Sequence, residues 1–146
     1  MRLSSRSEYG MRALAVLARR HGEAPLSIRT IASAEGISEQ FLEQIFVDLR
    51  RAGLIESVRG ARGGFRLARR PVEISVGDAY RALEGPIGPT DCLSDDPESC
   101  CTRTDHCAAR TVWQRLRDSM AETLDGMTLA DLASSSPEET AEPTRE

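Results

Sequence analysis

The 146-residue sequence contains no lysine, and all 19 of its basic residues are arginine. The planar guanidinium fork suits phosphates and guanine edges better than an ammonium does, although coding bias at the source produces an all-arginine set equally well. Aromatic residues are scarce at 4%, so leucine, isoleucine, valine and alanine must build most of a core from the 40% of hydrophobic positions. No apolar run approaches the roughly 18 residues needed to span a bilayer. The start, Met1-Arg2-Leu3-Ser4-Ser5-Arg6-Ser7, lacks the apolar centre of a secretory signal. A soluble cytoplasmic protein without a membrane partner is expected. Histidine occurs only at positions 21 and 106, and no Ser/His/Asp set, P-loop or paired-carboxylate pattern is present. An enzyme with a small-molecule substrate is therefore not expected.

Cysteine is confined to one stretch. Cys92, Cys100, Cys101 and Cys107 fall within sixteen positions, and none occurs elsewhere. In a cytosolic chain this clustering favours a metal site or a redox switch over a structural disulfide framework. The net charge of −4 conceals two halves of opposite sign. Residues 1–70 hold 13 arginines against 7 Asp and Glu, a balance of +6; residues 71–146 hold 6 against 16, a balance of −10. The basic half suits a polyanion, and the acidic half would be repelled by one.

The length suits one domain with at most a short appended element. A first helix is expected from about Ser7 to Arg20, with a broad apolar surface of Met11, Ala13, Leu14, Val16, Leu17 and Ala18, stopped by His21-Gly22. The segment from Leu26 to Leu42 reads as helix, tight turn, helix. Ala32 permits close crossing, Gly36 takes the left-handed conformation of the turn, Ile37 plugs the angle and Ser38 caps the second helix. Phe41, Ile45 and Leu49 recur at i, i+4 and i+8, with Leu42 and Phe46 beside them. Glu39, Gln40, Glu43, Gln44, Arg50 and Arg51 form a polar opposite face, the layout of a recognition helix.

Leu54–Val58 and Phe65–Leu67 then read as two strands joined by the basic, glycine-rich loop Arg59-Gly60-Ala61-Arg62-Gly63-Gly64. A short helix should run from Ser75 to Leu83, with Ser75 and Asp78 as a capping pair. A long helix from Arg110 to Leu124 should carry Val112, Trp113, Leu116 and Met120 on one face. The segments are thus a winged helix-turn-helix at 1–70, a short helix and cysteine loop at 71–109, a helix and terminal turn at 110–133, and a disordered Ser/Glu/Thr/Pro tail at 134–146. The expected fold is mainly α with a small β-hairpin.

The DNA contacts expected from this layout are Ser38, Glu39, Gln40, Glu43, Gln44 and Arg50 on the recognition helix, and Arg59, Gly60, Arg62 and Gly63 on the wing. Gln40 and Gln44 can bond bidentately to adenine, Glu43 can accept from cytosine N4, and Arg59 can enter a minor groove or grip phosphate. A solvated carboxylate at Glu43 and an ordinary helical hairpin with a basic surface are the plainer alternatives. For the cysteines three readings compete. Zinc usually draws on CxxC pairs, which are absent. In a thiol or disulfide switch without metal, adjacent Cys100 and Cys101 cannot easily pair with each other, although either can pair with Cys92 or Cys107. An iron–sulfur cluster needs thiolates converging from a flexible loop, which Cys92, Cys101 and Cys107 can provide.

Several motifs together resemble the Rrf2 family of winged-helix iron–sulfur regulators, whose members include IscR, NsrR and RirA. They are Met1-Arg2-Leu3-Ser4, Tyr9, Gly36-Ile37-Ser38, Phe41-Leu42-Glu43-Gln44-Ile45-Phe46, Leu49-Arg50, Gly53-Leu54, Val58-Arg59-Gly60, Gly63-Gly64-Phe65 and Cys107 with Trp113 six positions on. The likeness covers residues 1 to about 132. It implies a homodimer joined by the long C-terminal helix and a palindromic double-stranded operator. It also implies one [2Fe-2S] or [4Fe-4S] cluster per subunit on three cysteines, and a repressor that senses redox state, nitric oxide or iron. The Cys101-x5-Cys107 spacing matches the family and favours Cys101 over Cys100 as the middle ligand, beside Cys92 and Cys107. IscR-like members place a histidine where this chain has Arg110, which is no ligand. NsrR-like members use a carboxylate from the partner's N-terminal helix, and Glu8 stands at the matching position; Cys100 and His106 are its rivals. A first-turn acid favouring the helix dipole is the plainer reading of Glu8.

Overall fold

In the computed structural model, which describes residues 2–93, 101–103 and 106–135, Ser4 caps the first helix, α1 (Ser5–Arg19), by accepting from the Ser7 amide at 3.3 Å. Ala13, Leu14 and Leu17 of α1 are buried at the centre of the core. Ser27 caps α2 (Ile28–Glu35) by accepting from the Thr30 amide at 3.1 Å. Gly36 then takes φ +64°, the left-handed conformation in which a Cβ is disfavoured. Ser38 caps α3 (Glu39–Arg51) through the Phe41 amide at 3.0 Å, so the helix-turn-helix forms as the local residues dictate.

The buried seam of α3 is Leu42, Ile45, Phe46 and Leu49, four of the five apolar residues that the sequence assigns to this face. Those four positions follow the i, i+3, i+4, i+7 spacing of a single helix face. Phe41 is left half-buried and meets Tyr9 of α1 edge-on, with ring centroids 5.8 Å apart. Strands β1 (Ile55–Val58) and β2 (Gly64–Leu67) pair antiparallel, with Ile55 opposite Leu67 and Val58 opposite Gly64. Leu26 joins this sheet through a bridge to Phe65, with N–O distances of 3.0 and 2.7 Å. Sequence periodicity gives no sign of that third edge, because a single paired residue has no period.

After a 3-10 turn at Pro71–Glu73 comes α4 (Val76–Glu84), whose capping box uses Ser75 and Asp78 as expected. A second 3-10 turn, Asp91–Leu93, carries Cys92. The long helix α5 (Arg110–Asp125) and a short α6 (Leu129–Ser134) complete the described chain. The last helix reaches Ser134, the first residue of the expected tail; residues 136–146, like Cys100, lie outside the described residues.

Ile74 and Leu129, both fully buried, belong to the same apolar cluster as Leu14 and Phe46. Bonds from the Val76 amide to the Met127 carbonyl (2.8 Å) and from the Leu129 amide to the Ile74 carbonyl (2.9 Å) tie the starts of α4 and α6 together. The elements after residue 70 therefore share one core with the helix-turn-helix. Helix α5 differs: none of its sixteen residues is buried. Leu116, Met120 and Leu124 are half-buried, while Val112 and Trp113 stand 58% and 36% exposed.

Candidate nucleic-acid interface and cysteine loop

Glu39, Gln40, Glu43, Gln44 and Arg50 are all exposed on α3, opposite its buried seam. Ser38 is exposed too, but its hydroxyl is engaged in capping the helix. On the wing, Arg59, Gly60 and Arg62 are exposed and Gly63 is half-buried. A Cβ at Gly63 would stand 2.9 Å from the Gly60 carbonyl oxygen and 3.0 Å from the Arg59 carbonyl carbon. Its glycine is therefore required by the turn itself, whatever the turn touches. Val47 adds an exposed apolar side chain to the otherwise polar outer face of α3.

Several arginines of residues 1–70 are paired within the chain. Arg66 donates to Glu56 across the hairpin at 2.6 Å, Arg12 to Glu35 at 2.9 Å, and Arg70 to Glu73 at 3.2 Å; Arg20 and Arg51 are paired with Glu23 and Asp48. Arg50, Arg59 and Arg62, the three expected to meet DNA, are exposed and engage no carboxylate among the described residues. Arg29, in the first turn of α2, is in the same condition and was not among the expected contacts. A guanidinium that is charged, solvated and unpaired is free to exchange counterions for a phosphate without breaking an internal bond.

The cysteines sit on the opposite, acidic half of the sequence. Cys92 is half-buried, its Sγ 3.1 Å from the Thr90 hydroxyl, whereas Cys101 and Cys107 are exposed. Arg117 of α5 reaches the Leu93 carbonyl at 3.5 Å, and the Cys107 carbonyl accepts from the Arg110 amide at 3.1 Å as α5 begins. A two-pronged ion pair joins Arg81, in the last turn of α4, to Asp125 at the end of α5, at 2.7 and 2.8 Å. That hydrogen-bonded pair raises the Arg81 pKa and holds the Asp125 carboxyl below its ordinary value. Both side chains are more than two-fifths exposed, so water screens the pair and its role is orientation more than stability.

Three thiols are donors of the right softness for an iron–sulfur cluster. Among the described residues, however, no three of His, Cys, Asp and Glu gather closely enough to hold a metal. The thiols fit by chemistry, and a complete site would have to draw on donors outside the described residues of one chain. Glu8 is exposed on the rim of an apolar groove of about 690 Å³ between α1, α4 and α5, lined also by Met11, Val76, Tyr80 and Met120. His106 is exposed, its amide donating to the Arg103 carbonyl at 3.0 Å. No helix among the described residues is long and apolar enough to cross a membrane.

Comparison with known proteins places these features together. A family model described as "Rrf2: Iron-dependent Transcriptional regulator" matches residues 3–135. The HTH-type transcriptional regulator CymR of Bacillus subtilis is 43% identical over 134 residues, 92% of this chain and 91% of that protein. The solved structure of B. subtilis CymR, described as the global cysteine regulator, superposes with a TM-score of 0.77 at 42% identity, over 93% of this chain and 98% of that one. The structure of T. potens IscR gives a TM-score of 0.77 at 38% identity, over 98% and 93% of the two chains.

Proposed function

The chain belongs to the Rrf2 family of transcriptional regulators, and from that premise we propose that it is a homodimeric repressor whose operator affinity is set by the cysteines of the 92–107 loop. Sequence-selective DNA binding is carried by one observation above all: Arg50, Arg59 and Arg62 are left unpaired while neighbouring arginines are neutralised within the chain. Gln40, Gln44 and Glu43 offer hydrogen-bond donors and acceptors for base edges, and the wing arginines supply phosphate contacts. Arg29 joins the phosphate-binding set. Arg59→Ala should weaken binding to a duplex selected from a randomised pool by about 1–3 kcal/mol. Unchanged affinity and salt slope in an electrophoretic or fluorescence titration would remove Arg59 from the interface.

The second copy is supported by α5. A sixteen-residue helix with no buried side chain, exposing Val112 and Trp113 near its start and lining an apolar groove with Met120 and Leu124 further on, has hydrophobic surface that association would cover. A twofold dimer presents two recognition helices, which suits a palindromic operator.

Cys92, Cys101 and Cys107 would hold an iron–sulfur cluster, with Glu8 from the second copy as fourth ligand. The cluster would supply a centre whose oxidation, nitrosylation or loss changes the restraint on the loop. The chain's own part is to tie that loop to rigid elements, through Arg117 at Leu93 and through the Cys107 carbonyl at the start of α5. Protein purified without oxygen should be brown and contain iron and acid-labile sulfide. Glu8→Ala should bring the same colour but lose it faster in air. A colourless wild type with about two zinc ions per dimer and no iron would overturn the cluster reading. A switch of thiol oxidation alone is favoured by the likeness to a structure described as that of a global cysteine regulator. Iron-free protein whose DNA affinity still follows thiol titration would establish that alternative.

A further inference from the structure

The N-terminal end of α1 carries a polar junction that neither the core nor the DNA contacts use. Arg6 donates through Nη2 to Asp48 of α3 and through Nε, at 3.5 Å, to the Leu83 carbonyl at the end of α4. The hydroxyls of Ser4 and Ser7 both donate to Glu84, the last residue of α4. Ser7, at 2% exposure, is the buried polar residue of the described chain. Three helices thus meet at one set of side chains: α3, which faces DNA, α4, which leads into the cysteine loop, and α1 between them.

The geometry gives Arg6 control over an angle. Phe41 and Asp48 stand seven residues apart on α3, about two helical turns. Tyr9 grips the first of them edge-on at 5.8 Å, and Arg6 grips the second. Two contacts separated along the axis of α3, outside its buried seam, give α1 a lever on the direction of that helix. Arg6 and Asp48 remain 35% and 27% exposed, so their ion pair adds only modestly to stability. The core holds the fold, and the ion pair can change without melting it.

The same guanidinium holds the place where the cysteine loop begins. The Leu83 carbonyl and the Glu84 carboxylate are followed at once by Gly85, which turns the chain with φ +90° toward buried Ile87 and then Cys92. A shift of the loop that pulls on the end of α4 reaches Leu83 and Glu84 first, and through them Arg6. We propose that Arg6 is a positioning residue that couples the state of the cysteine loop to the direction of α3. This rests on the reading that the loop governs DNA affinity.

The test uses the full-length protein and a duplex selected by the wild type from a randomised pool. Affinity is measured with the thiols reduced, after diamide oxidation, and after anaerobic incubation with ferrous iron and sulfide. The wild type should differ between at least two of these states by about 5-fold or more, the range of ordinary allosteric coupling. Arg6→Gln should bring the states to within about twofold of one another, with circular dichroism and melting temperature close to wild type. Asp48→Asn should do the same, although Arg51, 3.5 Å from Asp48 in the native protein, then also loses its partner. Arg6→Lys, which keeps a cation within reach of Asp48, should restore most of the difference. A folded Arg6→Gln protein that keeps the full wild-type difference overturns the inference alone. A wild type with equal affinity in all three states overturns the loop-controlled reading, and the inference with it.

Discussion

Alanine at position 64 should cost about 3 kcal/mol or more of stability and abolish selective DNA binding. Gly64 opens β2 at φ +155°, and a Cβ there would stand 2.5 Å from the Leu26 carbonyl carbon and 2.9 Å from the Ser27 amide nitrogen. It would fall closer still to the Leu26 oxygen. All of these are backbone atoms, held in place by the reciprocal Leu26–Phe65 hydrogen bonds, so none can swing aside as a side chain would. Strain at the dihedral adds roughly 1–3 kcal/mol, and each bridge bond lost adds about 1 kcal/mol. Gly60 is the internal control: its φ is +114° but a Cβ there meets nothing within 4 Å, so Gly60→Ala should show the strain alone. Urea denaturation of both variants separates the two costs. A Gly64→Ala protein no less stable than Gly60→Ala would dispose of the close-approach argument.

Phe46→Ala should be as damaging, at about 3–5 kcal/mol. Phe46 is 1% exposed on the inner face of α3, and its ring meets Phe65 of the wing edge-on with centroids 4.9 Å apart. The ring therefore sets the distance between the two elements expected to touch DNA, and its removal leaves a cavity between them. Phe46→Leu keeps most of the volume and should lose about 1–2 kcal/mol, with selective binding reduced rather than abolished. Denaturation and titration with the selected duplex check both variants. An alanine variant within about 1 kcal/mol of the wild type would show that the ring does not join α3 to the wing.

Much of the DNA-binding half was legible from neighbouring residues. Ser38 as cap, Gly36 as the left-handed turn, and the Ser75/Asp78 box are interactions between residues one helical turn apart or less, so the local sequence suffices. The apolar positions of α3 are legible in the same way, except that Phe41, whose spacing also suits the seam, stays half-buried against Tyr9 of another helix. The Leu26 bridge is not legible for a related reason: its partner is thirty-nine residues away, and an isolated pair leaves no periodic trace. The cysteines are the hardest case. Their spacing speaks for a shared ligand, whereas no three of His, Cys, Asp and Glu gather at one point among the described residues; which donors meet is set by tertiary packing, which spacing along the chain does not encode.

The uniform arginine content shows most clearly what each level of description decides. The amino-acid order alone shows that the net positive charge falls in residues 1–70, that it is all guanidinium, and that a helix-turn-helix and a glycine-rich hairpin carry part of it. Those patterns place Arg59 and Arg62 on the hairpin loop and Arg50 on the polar helix face, but they do not say which arginines meet a carboxylate within the chain. The tertiary structure decided that Arg66 is spent on Glu56 across the hairpin and Arg6 on Asp48 across two helices, while Arg50, Arg59 and Arg62 remain uncommitted. The physical reason is that an ion pair requires two side chains within about 4 Å, and for partners ten to forty-two residues apart that proximity is set by strand register and helix packing.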